Sequence, residues 1–103
     1  MKGLHFCTPQ KQAEIRTEKE FYSLRTGFVP TFFEGETIKI NFRDEQNKDT
    51  LFCQAIVLEV QPIQFQQIKE LPYYKEEIER YGRKFDNRQW FFRCKFLKIK
   101  GLL

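Results

Sequence analysis

Leu51-Phe52-Cys53-Gln54-Ala55-Ile56-Val57-Leu58-Glu59-Val60 is apolar on both alternating faces through Ala55, Ile56, Val57 and Leu58. A strand covered on both sides reads this way. Periodicity alone does not separate it from a buried helix. The β-branched Ile56, Val57 and Val60, bracketed by Asp49-Thr50 and Pro62, favour a strand. Pro62 lacks a ladder donor and is expected to end it. The rest of the chain reads as cover for this strand.

Just upstream, Thr37-Ile38-Lys39-Ile40-Asn41-Phe42 alternates cleanly, and the charged turn Arg43 to Lys48 predicts an antiparallel hairpin with the central run. Leu4-His5-Phe6-Cys7 reads as a short first strand. Thr8-Pro9 then opens a helix to about Arg16, with Ala13 and Ile15 toward the core and Lys11, Glu14 and Arg16 toward solvent. Phe21 to Arg25 resumes a strand pattern. The stretch from Thr26 to Gly35 is bracketed by glycines, interrupted by Pro30 and carries Phe28, Phe32 and Phe33. It is expected to be a loop that folds over the core or lines a pocket.

Beyond Pro62, a short helix from Phe65 to Glu70 would place Phe65 and Ile68 on one face. Pro72 opens a second helix with Tyr74, Ile78 and Tyr81 on one stripe and Gly82 as terminator. Gln89 to Ile99 sets Trp90, Phe92, Cys94 and Phe96 against Phe91, Arg93, Lys95, Leu97 and Ile99. Strands interleaved with two or three short helices predict an α+β fold whose mostly antiparallel sheet curls into a β-barrel. Phe42, Ile56, Leu58, Phe92, Cys94 and Phe96 are the expected core.

With 103 residues the chain is expected to form a single domain over 1–103. A domain of this size buries roughly two thirds of its unfolded surface, and twelve phenylalanines supply its bulk without staples. Three cysteines, Cys7, Cys53 and Cys94, cannot all pair. They read as buried thiols in a reducing, cytoplasmic setting, not as a metal site, since His5 and the cysteines lack the close spacing of zinc modules. No apolar run is long enough to span a bilayer, and the start leads into a strand instead of a signal-peptide core, so the mature chain is expected to be the whole chain and no membrane partner is expected. The net charge is +4, but from Arg80 onward it is +7, leaving −3 on the remainder. The C-terminal quarter is a basic element, and Arg83, Lys84, Arg88, Arg93 and Lys95 are candidate nucleic-acid contacts.

Several residues carry a resemblance. Ile15 and Arg25 stand ten residues apart, Gly35-Glu36-Thr37 opens a strand, and Ala55 to Val60 with Phe65 follows it. In these positions the chain resembles the ASCH family, small barrels of the PUA-like superfamily associated with RNA and modified nucleosides. The family's glycine, lysine and threonine are here Glu18, Glu20 and Phe21. The resemblance implies a PUA-like barrel that binds RNA or a nucleoside or nucleotide beside Arg25, with Ser23 and Glu20 in reach and no cofactor. Small ASCH amidohydrolases of acetylcytidine work through that lysine, a threonine two residues before the arginine, and a downstream glutamate. Ser23 matches the threonine, Glu70 lies near the glutamate, and Lys19 reaches the lysine position by a one-residue slip. A carboxylate at position 20 cannot supply the cation, which favours binding over hydrolysis. An interaction or inhibitory module with a protein partner is a third possibility, selected by exposed aromatics without a cleft.

Overall fold

The computed structural model describes residues 1–27 and 30–101, and the side chains of all of these except Lys100 and Gly101. Strand β1 (Gly3–Phe6) is followed by helix α1 (Pro9–Thr17) and β2 (Glu20–Thr26). The hairpin β3 (Thr37–Arg43) and β4 (Asp49–Gln64) comes next, then α2 (Phe65–Ile68), a 3₁₀ turn (Pro72–Tyr74), α3 (Lys75–Arg80) and β5 (Trp90–Gly101). The strands form one five-stranded sheet in the order β1-β3-β4-β5-β2. β1 runs parallel to β3, and the other pairings are antiparallel. Among the described residues, no helix is long and apolar enough to cross a membrane.

β1 and β2 are the two outermost strands, yet the Phe6 and Phe21 rings meet edge to face at 5.8 Å. Such contact requires the sheet to curl. The bend comes from three register shifts, each placing an extra residue in one strand and tightening its twist. Asn41 pairs with Leu51 after Ile40 pairs with Cys53, passing over Phe52. Lys98 and Lys100 pair with Ala55 and Gln54, passing over Ile99, and Phe96 and Lys95 pair with Val57 and Glu59, passing over Leu58. Helix α1 bridges β1 and β2 and drives Ile15 into the concave face. Lys98 Nζ closes the end of α1 by donating to Arg16 O at 3.3 Å.

The concave face holds the main core, where Phe21 and Phe32 pack on Phe96 and Ile38, Ile40, Cys53, Ala55, Val57 and Cys94 fill the rest. A second cluster of Leu24, Ile63 and Phe91 lies on the opposite face at one end, beneath Ile68 and Tyr74, with Phe65, Ile78, Tyr81 and Phe85 around it. The stripe of Tyr74, Ile78 and Tyr81 therefore packs as its spacing predicts. Phe32 covers the core while Phe33 faces solvent; Phe28 lies outside the described residues.

Three expectations for the central run are corrected. Leu58 is 37% exposed because it is the bulged residue with no partner on β5. Ile56 is only half-buried, since Cys53, Ala55 and Val57 are the inward residues before the bulge. After the bulge the parity inverts, and Ile63 reaches the second cluster. Pro62 does not end the strand: β4 has only β5 beside it there, so one row of its N–H groups faces no strand and a proline is tolerated. Phe92 is half-buried, and Cys7, beyond the end of β1, is exposed.

Phe96→Ala should destabilise the fold by about 3–5 kcal/mol, whereas Leu58→Ala should stay within about 0.5 kcal/mol, both read from urea unfolding. Burial pushes the Cys94 thiol up to about 11 and raises Cys53 as well. In mildly alkaline solution a thiol reagent should therefore label Cys7 alone in the native chain and all three cysteines in denaturant.

Candidate functional site

Among the described residues β2 pairs only with β5, so its other edge would leave main-chain groups of Tyr22 and Leu24 unmatched. Three side chains match them. Lys11 Nζ donates to Tyr22 O at 2.9 Å, the Leu24 N–H donates to Glu77 Oε2 at 2.9 Å, and the Tyr81 hydroxyl donates to Leu24 O at 3.1 Å. Ser23 Oγ donates to the same Glu77 oxygen at 3.3 Å.

Lys11 and Glu77 are 6% and 7% exposed and stand 3.1 Å apart, Nζ to Oε1. The three ammonium protons go to Tyr22 O, to Glu14 Oε1 at 2.9 Å and to the Tyr73 hydroxyl at 3.2 Å. Glu77 Oε1 is therefore held by charge, without an aligned hydrogen bond. The Tyr73 hydroxyl in turn donates a hydrogen bond to Glu14, and burial together with that bond pushes its phenol up to about 12. Burial acts to lower Lys11, but Glu77, Glu14 and Tyr73 prevail and hold it above its ordinary value.

Beside this pair a narrow cleft of about 60 Å³ is lined by Ser23, Leu24, Arg25, Glu77, Arg80 and Tyr81. Burial lowers the Arg25 guanidinium from its ordinary value, with Tyr81 and Glu77 opposing the shift and Arg80 adding to it. Arg25 Nε is buried without a hydrogen-bond partner among the described residues. Burial also raises the Tyr81 phenol, against the pull of Arg25.

The structure brings Ser23 and Arg25 into one cleft, two residues apart on the same face of β2. It does not bring Glu70, Lys19 or Glu20 to them. Glu70 is exposed in a separate groove with Lys69, Leu71 and Pro72. The carboxylate that meets Ser23 is Glu77, seven residues further along the chain, on α3. Lys19 is exposed ahead of β2, four residues from Ser23, a separation of about 13 Å along a strand. Glu20 points to the other face and pairs with Lys95 at 3.3 Å, not with Arg25.

The basic candidates also divide. Arg83, Lys84 and Arg88 are exposed between α3 and β5, Arg83 lying 4.7 Å from the Phe85 ring centre. Arg93 and Lys95 flank the Tyr22 ring on the convex face at 5.2 and 5.7 Å, and Arg93 also donates to Gln61.

Two expectations for α1 are corrected: Lys11, expected in solvent, is buried with Glu77, and Ala13, expected toward the core, is exposed. Sequence reasoning missed Lys11, Glu77, Arg80 and Tyr81 as site residues. A signal for the first two was present. Lys11 lies four residues before Ile15 and so shares its buried face, while Glu77 sits between Tyr74 and Tyr81 at spacings of three and four. A charge on an apolar stripe marks a partner to be found.

Lys11→Met leaves the Glu77 carboxylate buried and unpaired and should destabilise the chain by about 3–5 kcal/mol, with part of the loss recovered in Lys11→Met/Glu77→Leu. Because the folded lysine sits above its ordinary value near 10.5, its contribution is complete below that pH and is lost as pH rises through the folded value. The Lys11→Met deficit in denaturant midpoint should be constant through neutral pH and shrink only in strong alkali.

No protein-family model, no curated protein and no solved structure matches this chain, so its activity is inferred from these residues.

Proposed function

We propose that this chain is a PUA-like domain of the ASCH type that binds RNA or a nucleoside or nucleotide in the cleft beside Arg25, without turning it over. The observation that carries the proposal is the buried Arg25 Nε with no acceptor among the described residues, next to the Ser23 hydroxyl and a second guanidinium from Arg80. Leaving a buried donor unmatched costs about 1–3 kcal/mol. An anionic or carbonyl oxygen of a ligand would relieve that cost through a charge-assisted bond. The curled sheet with short helices is compatible with a PUA-like barrel.

Hydrolysis of an acylated nucleoside has one specific observation in its favour, the chain from Lys11 through Glu77 to the Ser23 hydroxyl. It would supply a nucleophile, a proton acceptor and a cation. Two features weigh against it. Ser23 is 2% exposed, and the Lys11 protons are all engaged by protein groups, so no cation from this lysine is aimed at a substrate carbonyl.

Calorimetry at low ionic strength should register binding of short single-stranded RNA, falling steeply as salt is added and strongly weakened in Arg25→Ala. Absence of any heat with RNA, nucleosides or nucleotides would reject the proposal. Acetylcytidine should be turned over poorly or not at all by the wild type and by Glu20→Lys. Turnover by the wild type that disappears in Ser23→Ala would establish the hydrolase instead.

A further inference from the structure

The cleft beside Arg25 is too narrow for a whole nucleotide. Its volume is about 60 Å³, whereas sites that enclose a small molecule measure about 300–1,000 Å³. The strand pair that carries Arg25 also carries a more open, mainly apolar cleft of about 220 Å³ lined by Gly27, Pro62, Trp90 and Phe92. Arg25 and Phe92 are direct partners across β2 and β5, and Phe92 pairs in turn with Pro62 of β4. Trp90 follows two residues along on the face of Phe92. It is the chain's single tryptophan and remains 46% exposed, although Cys94 and Phe96 on the same face are buried.

The two clefts have complementary chemistry. One presents guanidinium groups, and its hydroxyl and carboxylate are already engaged with each other, with Lys11 and with the Leu24 N–H. The other presents flat apolar surface. Direct cross-strand partners lie about 4.5–5.5 Å apart at Cβ, and the diagonal from Arg25 to Trp90, two residues along β5 from Phe92, is about 7–8 Å. One nucleotide spans that distance between its ring and its phosphate.

We infer that the two clefts form one bipartite site for a nucleoside monophosphate unit, whose base stacks on Trp90 and Phe92 while its phosphate meets Arg25 and Arg80. This rests on the nucleotide-binding proposal above and adds which part of the ligand each half receives. Stacking on an aromatic side chain tolerates any base, so the Trp90 half gives affinity with little sequence preference. The arginine half distinguishes a nucleotide from a bare nucleoside.

The single tryptophan makes the test direct. The chain is titrated with adenosine 5′-monophosphate while heat and Trp90 fluorescence are followed in parallel; adenosine, ribose 5-phosphate and a short oligoadenylate serve as comparison probes. The monophosphate should give saturable heat and saturable quenching, adenosine should bind more weakly, and ribose 5-phosphate should not quench. Trp90→Leu should weaken the monophosphate about five- to a hundred-fold without changing the unfolding midpoint, because the side chain is half-exposed. Arg25→Ala should erase the preference over adenosine. A tighter oligoadenylate would place the unit in an RNA strand, and equal affinities would make it a free nucleotide. Heat without quenching, with Trp90→Leu binding like the wild type, would overturn the stacking half and leave nucleotide binding standing. Adenosine binding as tightly as its monophosphate would overturn the phosphate half. No heat from any probe would overturn both the bipartite site and the function it rests on.

Discussion

The ion pair between Lys11 and Glu77 holds two helices to the same strand edge, and the geometry around β2 depends on it. A strand with one neighbour presents an outward row of donors and acceptors that must find partners. Here the partners are charged side chains from α1 and α3 that reach Tyr22 O and the Leu24 N–H. Burying either charge alone would be unfavourable by several kcal/mol, so each requires the other. Glu14 and Tyr73 complete the lysine's hydrogen bonds, which ties the 3₁₀ turn to α1 as well. The candidate site follows from this edge: by placing Glu77, Arg80 and Tyr81 beside Ser23 and Arg25, the pair walls a cleft that β2 alone would not have.

The open character of the concave face at one end has a topological cause. β3 accompanies β4 only as far as Ile56, and from Glu59 to Gln64 the long strand has β5 as its sole partner. Among the described residues only β2, β5 and β4 extend to that end, too few to wrap around a core. Inward residues that would elsewhere be covered, Phe92 and Trp90, are left half-buried and exposed there, next to Arg25. At the other end all five strands and α1 close over Phe6, Phe21 and Phe96, and the rings pack edge to face or tilted. The closed end supplies stability and the open end supplies surface.

The basic C-terminal quarter is distributed among several roles. Arg80 faces the cleft, and Lys98 caps the last turn of α1. Arg93 and Lys95 lie against Tyr22, with Lys95 further engaged by Glu20. Arg83, Lys84 and Arg88 remain on the connection before β5, exposed to solvent. A net charge counted along the chain thus exceeds the charge presented to any one partner, because several of these cations serve protein groups first.

The sequence by itself determined the element order, the β3–β4 hairpin, the apolar stripe of Tyr74, Ile78 and Tyr81, and the placement of Ser23 and Arg25 on one face of β2. Each is written in local periodicity, where side chains two, three or four residues apart must share a face. The tertiary structure alone decided which face of the central strand is inside, because the bulge at Leu58 inverts the parity that an unbroken period of two would keep. It also decided that Pro62 lies within a strand, since tolerance of proline depends on whether a neighbour needs its donor. The glutamate of the site became Glu77 instead of Glu70, and its cation Lys11 instead of Lys19, for a further physical reason. A buried charge is stabilised by a partner distant in the chain, and that partnership exists only once α1 and α3 meet across the edge of β2.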